Sequence, residues 1–166
     1  DLPSRGRFSP FLFKGTICST GGYSAQYGQA LSSVLVLKTE DLPQQTLSAI
    51  SLMALGFGGS HTQLWENSSL SAEAGYYNLN PYFKLQPQRT DWINAPESFA
   101  RSIDFRYKTS DTGILKAFTS YSRGDLSLYS PNLDNLTQKD LFRMKDGNFF
   151  FNTNYRDILG DDWTFF

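Results

Sequence analysis

His61 is the single histidine among the 166 residues, so a nucleophile–histidine–carboxylate relay could be built on no other imidazole. It follows Gly58-Gly59-Ser60, a strand or bend with no recognisable relay, and is read as non-catalytic. Cys18 is the only cysteine. An intrachain disulfide is therefore impossible. The thiol lies within Thr16-Ile17-Cys18-Ser19-Thr20 with no base nearby in sequence, so it is read as a small buried residue rather than a nucleophile. No CxxC, HExxH, phosphate-loop or EF-hand spacing occurs. Asp140 and Asp161-Asp162 are read as solvated turn charges, not metal ligands. No catalytic residue, metal or cofactor is expected, and an enzyme is the least favoured reading.

Composition narrows the remaining classes. Formal net charge is −1, which lacks the basic footprint of a nucleic-acid binder. Aromatic residues make up 16% of the chain and charged residues 19%, where soluble domains carry about a quarter charged. That balance suits a β-protein or a surface meeting lipid or sugar, and not disorder. No apolar run approaches the roughly 20 residues of a membrane helix. A membrane β-strand needs only about 9–11 residues with every second one apolar, and the mean hydropathy of −0.38 is compatible with such strands.

Alternation supplies the elements. Leu70, Ala72, Ala74 and Tyr76 oppose Ser71, Glu73 and Gly75. Phe99, Ile103, Phe105 and Tyr107 share one face of residues 99–108, with Ser102, Asp104, Arg106 and Lys108 on the other. In 148–156, Phe149, Phe151 and Tyr155 oppose Asn148, Asn152, Asn154 and Arg156. Each segment reads as a strand with one apolar and one polar face. Two connections are short: Thr109–Gly113, leading into a strand over 114–121, and Leu159–Asp162 before Trp163–Phe166. Two others, Asn78–Glu97 and Ser122–Lys139, contain prolines and many polar residues and are read as long loops. Short turns alternating with long loops are the pattern of an outer-membrane barrel. The closing Trp163–Phe166 starts a strand that four residues cannot complete, and Asp1 is not a start methionine. The chain is therefore expected to be a fragment.

Residues 1–43 differ. Residues 3–22 carry prolines and glycines without sustained alternation and are expected to be loops. Val34-Leu35-Val36-Leu37 is apolar on both faces, as a central strand buried on both sides would be. Gly21, Gly22 and Gly28 permit tight turns and close backbone approach, while Tyr23 and Tyr27 offer apolar rings with polar tips.

The string Gly22-Tyr23-Ser24-Ala25-Gln26-Tyr27-Gly28-Gln29-Ala30-Leu31-Ser32-Ser33-Val34-Leu35-Val36-Leu37-Lys38-Thr39 resembles the end of the plug domain in TonB-dependent outer-membrane receptors. Arg7-Phe8-Ser9-Pro10 and Phe13-Lys14-Gly15-Thr16 resemble the branch common in Bacteroidota. Gln26 departs from the glutamate that many members carry. The likeness covers about the first 40 residues; beyond them only the strand pattern matches. It implies an all-β chain: the C-terminal part of a plug over 1–43, then the first antiparallel strands of an incomplete transmembrane β-barrel over 44–166. For strand directions to agree with the family, residues 45–64 must hold an even number of strands, with Gly56, Gly58 and Gly59 marking the bend between them.

The resemblance also implies a function. The parent protein would import a scarce solute, whether siderophore, vitamin, peptide or glycan, across the bacterial outer membrane by TonB-driven rearrangement of the plug. Its partners would be the TonB complex, through a segment N-terminal to these residues, outer-membrane lipid, and the solute. Gly21, Gly22, Tyr23, Tyr27, Gly28 and Gln29 would be structural parts of the plug. Arg7, Phe8, Phe11, Lys14, Tyr82, Arg89 and Trp92 are candidates to face ligand by position only; each has packing or solvation as its plainer role. The alternative is a secreted β-sandwich that binds glycan, with Phe99, Phe105, Phe149 and Phe151 in its core and Trp92 as a platform.

Overall fold

The computed structural model describes residues 13–19, 21–22, 33–34 and onward to 39, 41–86, 88–132, 137–159 and 163–165. Arg7, Phe8, Phe11, Tyr23, Tyr27, Gly28, Gln29 and Asp161-Asp162 lie outside them. The chain divides into two compact units, Asp1–Asp41 and Leu42–Phe166. It is mostly antiparallel β-sheet, with almost no helix.

In the first unit β1 (Phe13–Ser19) pairs with β2 (Val34–Thr39). Residues 13–19 thus form a strand where a loop was expected. A register shift between Phe13 and Gly15 breaks the alternation that would have marked it in the sequence. Among the described strands β2 pairs with β1 alone, so it is not a central strand there. Cys18 is exposed rather than buried, since a two-stranded ladder provides no second layer by itself. Gly22 has φ +66°, a conformation that glycine adopts without steric cost.

The second unit is a meander. Its strands are β3 (Leu47–Met53), β4 (Gly56–Leu64), β5 (Ser68–Asn78), β6 (Asp91–Lys108), β7 (Ile114–Pro131), β8 (Lys139–Leu159) and β9 (Trp163–Phe165). Each pairs antiparallel with the next, and β9 meets only residues 157–159 of β8. Residues 45–64 hold two strands, but their bend is at Ala54-Leu55. Gly56, Gly58 and Gly59 lie inside β4, where Gly56 and Gly58 serve close packing instead of turning. A Cβ on Gly56 would stand 2.1 Å from the Tyr76 carbonyl oxygen, and one on Gly58 3.3 Å from that of Ala74.

Both long loops expected from the sequence contain regular structure among the described residues. Residues 80–85 are helix α1 (Asn80–Leu85), and β6 starts at Asp91. Proline was the misleading signal. β6 has two register shifts, at Trp92/Asn94 and Asn94/Glu97; Pro96 sits within the second, and such irregularities tolerate a residue without an N–H. β7 likewise continues to Pro131, which pairs with Lys139.

Partners across an antiparallel ladder share a face, so the register sorts every side chain. One face carries Ile50, Leu52, Phe57, Leu70, Ala72, Ala74, Tyr76, Phe99, Ile103, Phe105, Tyr107, Tyr121, Phe149 and Phe151. The opposite face carries Thr62, Ser69, Ser71, Glu73, Ser102, Asp104, Arg106, Ser120, Asn152 and Asn154, together with the apolar Ile114, Phe118, Leu126 and Phe150. Exposure is inverted relative to a soluble sheet. Ile50 is 83% and Phe149 71% exposed, whereas Asp104 and Arg106 are 6% and 5%. The sheltered polar groups bond to one another: Arg106 donates through Nε to Asp104 Oδ2 at 3.0 Å, and the Thr62 and Ser71 hydroxyls lie 2.9 Å apart. That pairing offsets the desolvation such groups suffer.

The 109–113 turn closes as expected. Thr109 N–H donates to the Gly113 carbonyl at 3.0 Å, and Gly113 N–H to Ser110 Oγ at 2.7 Å. Asp157, on β8, collects the hydroxyls of Thr112 (2.8 Å), Tyr155 (2.8 Å) and Ser110 (3.2 Å). Hydrogen bonds from Thr112 and then Tyr155 hold its carboxyl below the ordinary aspartate value of 3.8. A depressed pKa favours the folded turn above 3.8, and that contribution disappears as pH falls through the lower folded value. Carboxyl titration by ¹³C NMR should find Asp157 titrating below 3.8, and Thr112→Val should move it upward; an unperturbed titration in the parent sequence would contradict this arrangement.

Candidate functional site

The residues best disposed to hold a solute lie where α1 meets the start of β6. Six helical residues cannot hold their shape in isolation, so α1 depends on its anchors. Pro81 occupies the first turn, where its missing N–H costs nothing. Asn78 Oδ1 accepts from Asn80 N–H at 2.8 Å. Asn80 Oδ1 in turn accepts the N–H of Ala95 at 3.2 Å, and Leu79 N–H donates to the Pro96 carbonyl at 3.0 Å. The irregular stretch of β6 thus supplies the backbone groups that fasten the helix. Ala95, 1% exposed, lies beneath, and the Phe83 and Trp92 rings pack 5.5 Å apart.

Beside these rings is an open cleft of about 530 Å³, bounded by Lys84, Arg89, Asp91 and Lys139 as well as Phe83 and Trp92. Lys139 Nζ reaches Asp91 Oδ2 at 2.7 Å, which ties the start of β8 to the start of β6. Both partners are more than half exposed, so the bridge stabilises by at most about 1 kcal/mol. The cleft therefore offers three cations, one carboxylate and a two-ring platform. The chemistry of such a set is that of ring stacking and charge pairing, matched by anionic or hydroxyl groups on a flat or apolar body. No group of three or more metal-ligating side chains occurs among the described residues.

Of the residues singled out from the sequence, Arg89 and Trp92 come together here. Trp92 lies on a strand and not in a loop. Tyr82 is not part of the lining; its hydroxyl bonds Gln86 Oε1. Lys14 belongs to β1 in the other unit, and Arg7, Phe8 and Phe11 fall outside the described residues. His61 hydrogen-bonds Ser48 Oγ through Nδ1 at 2.8 Å, and Asp140 accepts from the Asn132 side chain at 3.0 Å. Sequence reasoning missed Phe83, Lys84, Asp91 and Lys139. The first three were inside the expected loop 78–97, and Lys139 closed the other expected loop, 122–139. The Asn78–Asn80 pair before Pro81 was the one local signal of a capped turn.

No protein family, curated protein or solved structure matches the chain.

Removing the Trp92 ring should release α1 while leaving the ladder intact. In Trp92→Ala, amide exchange at Phe83 and Gln86, which bond Leu79 and Tyr82 carbonyls, is expected to speed up at least about tenfold, the effect of losing about 1.4 kcal/mol of local stability. Amides in the β5–β6 ladder should keep their protection. Unchanged exchange in the helix would mean that the ring does not anchor it.

Proposed function

We propose that these residues belong to an outer-membrane receptor of the TonB-dependent kind, which imports a solute, with the second unit forming strands of its barrel. The observation that carries this reading is the exposed apolar face of a sheet whose opposite face shelters the polar Ser69, Asp104 and Arg106.

The dimensions of that face support it. From Phe99 to Tyr107 the face runs eight residue steps along β6, about 26 Å at ~3.3 Å per residue. At a strand tilt of about 40° this projects to roughly 20 Å, near the ≈25 Å apolar band of outer-membrane barrels. Aromatic rings mark its borders. Phe57, Tyr76 and Phe99 form one cross-strand row at one end, and Tyr107 and Tyr155 flank Leu115 at the other, in the manner of interfacial girdles. The next row past Phe99 is charged: Glu97, Asp125 and Lys145. β6, β7 and β8 run on past the band by several residues and carry the α1 cleft there, at the end away from the short 109–113 turn. In a barrel that end is the extracellular one, where a solute would first be met. The plug-like string of residues 22–39 supplies the family and the energy source in this reading. The cleft would then be one contributor to solute capture.

The sandwich alternative needs a second sheet over Phe99, Phe105, Phe149 and Phe151. These side chains are 36–71% exposed, and nothing among the described residues of the second unit covers them.

A charge scan separates the two readings. In bilayer refolding of the full-length protein, Ile103→Arg or Phe151→Arg should cost about 2–4 kcal/mol, and Ser102→Arg on the other face much less. Equal costs on both faces would argue against lipid contact. Whole-cell uptake by the full-length gene should stop when TonB or the proton gradient is removed. Uptake that persists would refute the transport reading.

A further inference from the structure

The apolar face holds cations that a lipid-facing surface does not require. Arg101 pairs with Tyr121, and its guanidinium carbon lies 5.3 Å from the centre of that ring. Arg123 pairs with Phe99, Lys145 with Asp125, and Arg143 with Ser127. All four side chains therefore share the face of Phe149 and Phe151. Arg123 is diagonal to Arg101 across the β6–β7 ladder, and Lys145 is diagonal to Arg123 across β7–β8. Such neighbours stand about 7–8 Å apart, within reach of long side chains.

The acids on this face do not balance them. Asp125 engages Lys145 at 3.3 Å, and Glu97 accepts the Tyr76 hydroxyl at 2.8 Å. Among the described residues neither Arg123 nor Arg143 has an ion-pair partner. Three arginines and a lysine against two carboxylates leave an excess of two positive charges. Like charges at this spacing repel one another unless an anion sits between them. Guanidinium groups hold phosphate oxygens in paired hydrogen bonds. Directly below, toward the 109–113 turn, the same face continues as Phe149, Ile103, Phe151 and Phe105. A ligand complementary to the whole surface has acyl chains at one end and phosphate at the other.

We propose that Arg101, Arg123 and Arg143, with Lys145, form a site on the outer wall of the sheet for the phosphate of an anionic lipid headgroup. The proposal rests on the membrane reading above but makes a separate claim. The membrane reading requires only an apolar band, whereas this site requires selectivity for charge at its edge. It is also distinct from the α1 cleft, with which it shares no residue.

The test uses the full-length protein reconstituted into phosphatidylcholine vesicles with and without phosphatidylglycerol. Lipid co-released in detergent is counted by native mass spectrometry. Phosphatidylglycerol should be retained over phosphatidylcholine, the preference falling about fivefold for each arginine removed and vanishing in R101Q/R123Q/R143Q. The R101K/R123K/R143K variant, which keeps the charge, should retain much of it, and Lys108→Gln, on the opposite face near the 109–113 turn, should change nothing. Equal retention of the two lipids, or a preference that survives the triple glutamine variant, would overturn the site. So would inorganic phosphate displacing the lipid as readily as a phosphorylated lipid does, since that assigns the cluster to a free anion. Failure to insert even into phosphatidylcholine vesicles would instead overturn the membrane reading, and the site with it.

Discussion

The fold depends on the strict period of two in an extended chain. Backbone pairing fixes which residues stand opposite, and alternation then sends neighbours to opposite faces. From β3 to β8 the ladders hold register through the core of each strand, so rows of side chains run unbroken across the sheet. A slip of one residue in any strand would exchange its faces: Ile103 would join Asp104's neighbours, and Arg106 would enter the aromatic rows. The apolar band, its aromatic borders and the sheltered Arg106–Asp104 pair are all consequences of that single register.

Where register breaks, local architecture changes. The two shifts in β6 take Pro96 out of the ladder and leave the Ala95 N–H and Pro96 carbonyl to bond with Asn80 and Leu79. Those bonds seat α1. The cleft with Phe83 and Trp92 exists because the ladder is interrupted at that point, while β7 and β8 continue alongside without interruption. Irregular backbone of this sort is common where a strand must re-aim side chains.

Much of the sheet was legible in the sequence because alternation of Phe99–Lys108, Leu70–Tyr76 and Asn148–Arg156 is undisturbed, and the apolar faces were named correctly from it. The ends of strands were not legible. Pro96 and Pro131 mark loops by local chemistry, yet long-range pairing of β6 with β7 and of β7 with β8 overrides that preference at both. The glycines of β4 were misread for a related reason. A glycine that bends a chain and one that admits a neighbouring backbone look alike in sequence, and only the 2.1 Å approach at Gly56 separates them. The cleft was half legible. Arg89 and Trp92 carry conspicuous side chains, but Lys139 is 48 residues from Asp91 along the chain, and no local pattern reports such a pairing.

The neighbour-to-neighbour order of these strands has a kinetic consequence. Every ladder in this unit joins strands adjacent in sequence, which lets the sheet be laid down one hairpin at a time. At each stage the most recently added strand is the most adhesive part of the molecule, because its outward amides are unsatisfied and accept any extended chain. The order and speed of strand addition therefore decide between productive growth and capture of a wrong partner, and that hazard peaks when a strand as long as β8 is the newest one in place.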